Sequence, residues 1–141
     1  MDRNQHTLRQ TYRFEGKGLH TGTYSHMTVS PAPAGHGIRF RRTDLPGGPV
    51  IEALAENVSN TARSTTISRD GAEAVTIEHI MSALSGLGVD NALIELDNRE
   101  VPILDGSAGP YVKAFLADGL VDQGVPRVYM DIAQTLENPD G

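Results

Sequence analysis

The chain contains no cysteine. Disulfides and thiolate metal sites are therefore excluded, and the absence fits a reducing compartment. Long apolar runs are missing as well. No stretch approaches the ~18 apolar residues of a membrane span, and no apolar segment follows Met1 to His6 to make a signal peptide. Positive charge is in deficit: 12 Lys and Arg stand against 18 Asp and Glu, a net charge of −6. That balance argues against a general nucleic-acid binder. Lysine itself is scarce, being confined to Lys17 and Lys113. The cluster Arg39, Arg41 and Arg42 reads more readily as a solvated strand face than as a phosphate contact. Residue 83 is Ala, not a second His four positions after His79, which excludes the zincin helix motif. Repeats and low-complexity segments are also absent.

What remains is 141 residues, 38% of them hydrophobic, enough for one domain that buries about two thirds of its unfolded surface. The stretch Ala74 to Leu84 organises the reading. Ile77, Ile80, Met81, Leu84 and Leu87 recur at the spacing of one helical face. Thr76 is the expected N-cap, and Gly86 and Gly88 the expected stops. Glu78 and His79 then fall in the first turn, about 100° apart around the axis, so that they diverge. Such a pair suits a metal-bound His beside a carboxylate that reaches past it to a water. The positive end of the helix dipole favours an ionised Glu and a neutral His, the form that ligates metal. Spacing alone is equally met, and more often, by a solvated Glu-His pair at a helix start.

Around this stretch the pattern is mostly one of strands. Residues 10–15 alternate, with Tyr12 and Phe14 on one side. Gly16-Lys17-Gly18-Leu19-His20-Thr21-Gly22 turns sharply into a second strand over 23–30. A third strand carries Ile38 and Phe40 between arginines, and a fourth lies near 50–55. Residues 61–67 read as strand or ordered loop, and Asp70-Gly71 is a hairpin turn signal. Val89 to Asp97 alternates as a further strand, while Pro102 argues for an edge or an extended non-strand segment. A second helix enters at Asp105 to Pro110 and keeps Ala108, Tyr111, Val112, Phe115 and Leu116 on one face up to Gly119. A last strand is expected at 127–132. The turn sequence Asn138-Pro139-Asp140-Gly141 ends the chain, so the expectation is a fragment: residues 1–126 form one domain and 127–141 begin a truncated second one.

A hydrolytic zinc site needs about three protein ligands and an open position. The histidines are His6, His20, His26, His36 and His79. His6 lies in an expectedly frayed terminus, His36 in a Gly-flanked turn and His26 mid-strand, which leaves His20 as the best companion for His79. No three-ligand set has convincing spacing; the residues by themselves give half a site. Asp105 could serve that site or favour the start of the second helix.

Six motifs then occur in register: Gly16-Lys17-Gly18-Leu19-His20-Thr21-Gly22, Pro31-Ala32-Pro33, Phe40-Arg41-Arg42-Thr43-Asp44-Leu45, Thr76-Ile77-Glu78-His79, Gly86-Leu87-Gly88-Val89-Asp90-Asn91 and Pro102-Ile103-Leu104-Asp105-Gly106-Ser107. Together they resemble the N-terminal half of the zinc-dependent UDP-3-O-acyl-N-acetylglucosamine deacetylases (LpxC family) of lipid A biosynthesis. The resemblance implies an α+β fold, one β-sheet layered with two main helices, as the first half of a two-domain sandwich. It implies that His79 ligates Zn2+, that Glu78 is the general base, and that the remaining zinc ligands, a His and an Asp, lie in the second domain with a catalytic Lys and His. Arg63, Ser64 and His20 would line the approach of a UDP-sugar acylated substrate. The loop at Ala62 to Thr65 is less apolar than in the family's other versions. The enzyme would be cytoplasmic and work at the inner-membrane surface, without nucleic-acid partners or a transmembrane segment. The fragment would be inactive alone and prone to self-association through its helix faces. A stand-alone, non-catalytic binding or interaction module of the same fold is the alternative.

Overall fold

Ala92-Leu93-Ile94-Glu95-Leu96 places three apolar side chains on one side of a pleat, and all three are fully buried. This segment is strand β9 (Ala92–Leu96), the centre of a five-stranded sheet in a computed structural model that describes residues 4–62 and 64–127. Strand β3 (Tyr24–Pro31) lies antiparallel on one side of β9, and β4 (Ile38–Arg42) lies parallel on the other. Strand β2 (Tyr12–Lys17) flanks β3 and β5 (Val50–Glu52) flanks β4, giving the order β2-β3-β9-β4-β5.

The parallel pair β4 and β9 requires a crossover, and the crossover carries the functional candidates. It holds a 3-10 turn (Ala55–Asn57), strands β6 (Val58–Asn60), β7 (Thr66–Arg69) and β8 (Ala72–Val75), and helix α1 (Glu78–Leu87). The hairpin between β7 and β8 turns at Asp70 and Gly71, whose φ values are 51° and 84°, the left-handed pair that an Asp-Gly turn supplies. Helix α2 (Gly109–Asp118) follows the 101–108 connection. Strand β1 (Asn4–Leu8) pairs antiparallel with β10 (Leu120–Pro126) as a separate two-stranded sheet.

The α+β class expected from the sequence is therefore present, with two smaller sheets beside the principal one. The core lies between that principal sheet and the helices. Met27, Val29, Phe40, Ile51, Ile94 and Leu96 face Ile80, Leu84, Tyr111 and Phe115 in one buried cluster. Phe14 meets Tyr111 edge-on at 4.8 Å and Tyr12 meets Phe115 at 5.1 Å, so α2 sits over β2. Among the described residues no helix is long and apolar enough to cross a membrane.

Three expectations change. The N-terminal segment is not frayed: β1 is paired, and the His6 amide donates to Asp90 at 2.8 Å. Residues 120–126 form a strand that the sequence pattern did not announce, whereas the expected strand at 127–132 falls almost wholly outside the described residues. The arginine cluster divides. Arg39 and Arg41 pair across the outer sheet face with Glu52 (3.4 Å) and Glu95 (3.5 Å), as a solvated face would. Arg42 is instead buried, grips Asp44 with two bonds of 2.8 and 2.7 Å, and donates to the Glu73 carbonyl at 2.9 Å. The Arg42 hydrogen bonds hold the Asp44 carboxyl below its ordinary value.

Candidate active site

Helix α1 begins one residue after the start of the sequence pattern's apolar face and without the expected cap. Thr76 does not cap it; Ile77 occupies the N-cap position and no side chain bonds there. The reason lies upstream. Ala72–Val75 is committed to β8, and Thr76 turns out of that strand at φ 61°, with its hydroxyl directed to the Glu100 carboxylate at 2.6 Å. The helix can therefore start only at Glu78. It ends at Gly88, whose φ of 85° suits the left-handed C-cap.

Glu78 and His79 stand in the first turn of α1, as expected, and both are partly exposed. They diverge. One Glu78 oxygen accepts the Thr65 amide at 3.0 Å, and the residue lines an apolar groove of about 430 Å3 with Leu54, Val58, Ile67, Ile77 and Met81. The other Glu78 oxygen has no partner among the described residues. His79 makes no hydrogen bond or ion pair with another described residue, so its ring is available to a ligand.

His20 and Ser64 come together in a different, polar cleft of about 540 Å3, floored by Thr66 and Val75 and flanked by Glu73 and Arg99. The two clefts lie against opposite sides of one strand: Ser64 and Thr66 face the polar cleft, Thr65 and Ile67 the apolar groove. The sequence pattern gave no sign of this partition. Arg63 lies outside the described residues. Among the described residues no three of His, Asp and Glu stand together as a metal site. His26 is occupied on the sheet surface by Asp97 at 2.8 Å, and His36 bonds the Gly37 carbonyl at 2.9 Å. Asp105 accepts from the Ser107 amide and hydroxyl at 2.9 and 2.7 Å, and Ser107 in turn accepts the Gly109 amide at 3.1 Å. It thus shapes the entry to α2 through Ser107.

One residue of this region was missed. Glu100, which the sequence pattern did not single out, is fully buried. It accepts the backbone amides of His20 (3.1 and 3.0 Å to its two oxygens) and Thr21 (2.7 Å) as well as the Thr76 hydroxyl. Burial pushes its carboxyl up, but the bonds from Thr76, Thr21 and His20 together outweigh that and hold it below the ordinary value.

The structure is thus an α+β domain with a Glu-His pair at a helix start, an apolar groove lined by Glu78 and a separate polar cleft lined by His20. The family described as UDP-3-O-acyl N-acetylglycosamine deacetylase (LpxC) matches residues 5–141, and the chain belongs to it. The chain is 48% identical over 139 residues to a UDP-3-O-acyl-N-acetylglucosamine deacetylase of Xanthomonas oryzae pv. oryzae, covering 97% of this chain and 45% of that protein. It is 49% identical over 136 residues to a bifunctional LpxC/FabZ enzyme of Porphyromonas gingivalis, covering 96% of this chain and 29% of that protein. A deacetylase of Chromohalobacter salexigens is 46% identical over 132 residues, 94% of this chain and 44% of its own length. The chain thus spans less than half the length of these relatives.

Proposed function

We propose that the chain supplies the first half of a zinc-dependent amidohydrolase that removes the N-acetyl group from UDP-3-O-acyl-N-acetylglucosamine in lipid A biosynthesis. What supports the reading is the pair Glu78 and His79, placed on adjoining sides of a helix start within a family of named deacetylases. His79 is a fit donor for zinc because its imidazole has no competing partner among the described residues. It is one ligand of a set that the second half would complete, and the 141-residue chain alone would not turn over. Zinc, when bound, supplies a Lewis acid that acidifies water and polarises an amide carbonyl. Glu78 is the general base: the Thr65 amide fixes one of its oxygens and leaves the other to take a proton from the attacking water. A C–O bond forms at the acetyl carbon, the C–N bond breaks, and the nitrogen, given a proton by an acid that the second half would supply, leaves as the free glucosamine amine with acetate as co-product. His20 and Ser64 would contact the sugar nucleotide from the polar cleft, with Arg63 as a further contact. On this reading the enzyme is cytoplasmic and, because its substrate is acylated, works at the inner-membrane surface. Residues 1–126 form the first domain on this reading, and 127–141 lead into the second.

A second reading for the isolated chain is a non-catalytic binding module of the same fold. The two separate in the complete enzyme. Glu78→Gln should lower kcat by about 10²–10⁴ with zinc still bound, because only the base is lost. His79→Ala should lose zinc and activity together. Zinc loss from Glu78→Gln with turnover otherwise intact would refute these roles, and full activity in both variants would favour the binding module.

A further inference from the structure

The buried carboxylate of Glu100 has no cationic partner among the described residues, and all its bonds come from two segments that carry the candidate site. From one side the amides of His20 and Thr21 reach it, at 2.7–3.1 Å. From the other the Thr76 hydroxyl reaches it at 2.6 Å, two residues before Glu78. We propose that Glu100 is a positioning residue of the deacetylase site, a single anionic latch that fixes the His20 loop and the launch of helix α1 relative to each other.

Three further observations support this. Glu100 is itself held by backbone: the Val75 amide donates to the Arg99 carbonyl at 2.7 Å, and the Val101 amide to the Val75 carbonyl at 3.1 Å, so Glu100 extends the β8 edge. Thr76 sits at φ 61°, a sparsely populated region for a β-branched residue. The bond to Glu100 holds it there, and the strained turn sets where Glu78 and His79 begin. Finally, a Cβ added at Gly18 would fall well inside contact distance of the Glu100 carboxylate, so the His20 loop needs glycine at this point to close over the latch. An uncharged amide weakens the latch: it keeps one acceptor oxygen for the two backbone amides, loses the charge, and its NH2 must reverse the bond with the Thr76 hydroxyl.

The positioning role rests on the deacetylase reading; the latch itself does not, and the tests separate them. In the 141-residue chain, Glu100→Gln should shift or broaden the NMR signals of the His20 and Thr21 amides together with the His79 ring, while signals from Met27 and Ile94 stay in place. Thr76→Ala should disturb the His79 signals more than those of His20, and Thr76→Ser, which keeps the hydroxyl, should restore them. Gly18→Ala, which displaces the carboxylate but keeps its charge, should mimic Glu100→Gln and serves if that variant does not fold. In the complete enzyme, Glu100→Gln should lower kcat about 10–100-fold with KM changed less than about threefold and zinc content unchanged, the pattern of a misplaced catalytic group. Unchanged His20 and His79 signals in these variants would overturn the latch. A lowered melting temperature with unchanged kcat per zinc-loaded molecule would reduce Glu100 to a structural residue and overturn the positioning role. If the unmutated complete enzyme shows no zinc-dependent turnover, the deacetylase reading fails and the positioning role with it, whereas the NMR coupling still decides the latch.

Discussion

Arg42 and Glu100 are both charged and both buried, and the fold satisfies them in opposite ways. Arg42 has a counter-ion in Asp44, whereas Glu100 relies on two amides and a hydroxyl. That difference has a pH signature. The folded-state carboxyl of Glu100 lies below its ordinary 4.5, so the unfolded chain takes up the proton first as the pH falls. The stabilisation is fully present above the unfolded value and is lost as pH drops from there through the lowered folded one. Urea unfolding of the chain and its Glu100→Gln variant should therefore differ most at neutral pH and converge steadily below about pH 4.5. A gap that stays constant to pH 3 would contradict the charged latch. Asp44, lowered from 3.8 by Arg42, adds acid lability to both proteins in the same direction. At this scale the sequence was informative where chemistry is local. Glu78 and His79 stand in a first helical turn, as their neighbours imply, whereas His20 lines a different cleft from Glu78. Glu100 could not be read that way, because its inward course depends on a bridge to Val75, and no local pattern marks a carboxylate between Arg99 and Val101 as buried.

Helix α2 shows how an element is secured with modest means. Its first turn has no side-chain cap on Ala108, and it holds its place through Tyr111 and Phe115, both buried against Tyr12 and Phe14 of β2. The Tyr111 hydroxyl also donates to the Pro102 carbonyl at 3.1 Å, and burial raises its pKa. Tyr12, hydrogen-bonded to Asp118 at the far end of the helix, is pushed up to about 12 by burial and by that carboxylate. Phe115→Ala should cost about 3–5 kcal/mol of unfolding free energy, since it removes a ring touching two others. Phe115→Leu, which keeps most of the volume, should cost clearly less; chemical denaturation of both variants checks the order. Strands β2, β3, β4 and β9 and both helices were legible because one face of each meets the core, so burial writes its period into the sequence. Strand β10 was not, for Leu120-Val121-Asp122-Gln123-Gly124-Val125-Pro126 has no buried face to impose alternation. Helix α1 proved shorter than its apolar stripe because pairing of β8 with β7 claimed the residues before Thr76.

For the whole molecule, the helix faces are only partly covered. Ile80, Leu84, Tyr111 and Phe115 are buried within the chain, but Leu116 is 61% exposed and Leu54 45%, the latter beside the apolar groove that Met81 lines. Self-association of the 141-residue chain is therefore the expected behaviour, and sedimentation at rising concentration should show it. Leu116→Lys combined with Leu54→Lys should suppress it; a monomer persisting to high micromolar concentration without binding a hydrophobic dye would remove the idea. The pairing of β1 with β10 has a consequence of another kind. A ribosome makes Asn4–Leu8 more than a hundred residues before Leu120–Pro126, an interval on the order of 5–25 s at ordinary elongation rates. Throughout it the first strand waits on a partner that does not yet exist. The β1–β10 sheet can close only once Leu120–Pro126 has been made, and a chain whose translation stalls before Leu120 leaves the ribosome with strand β1 unmatched.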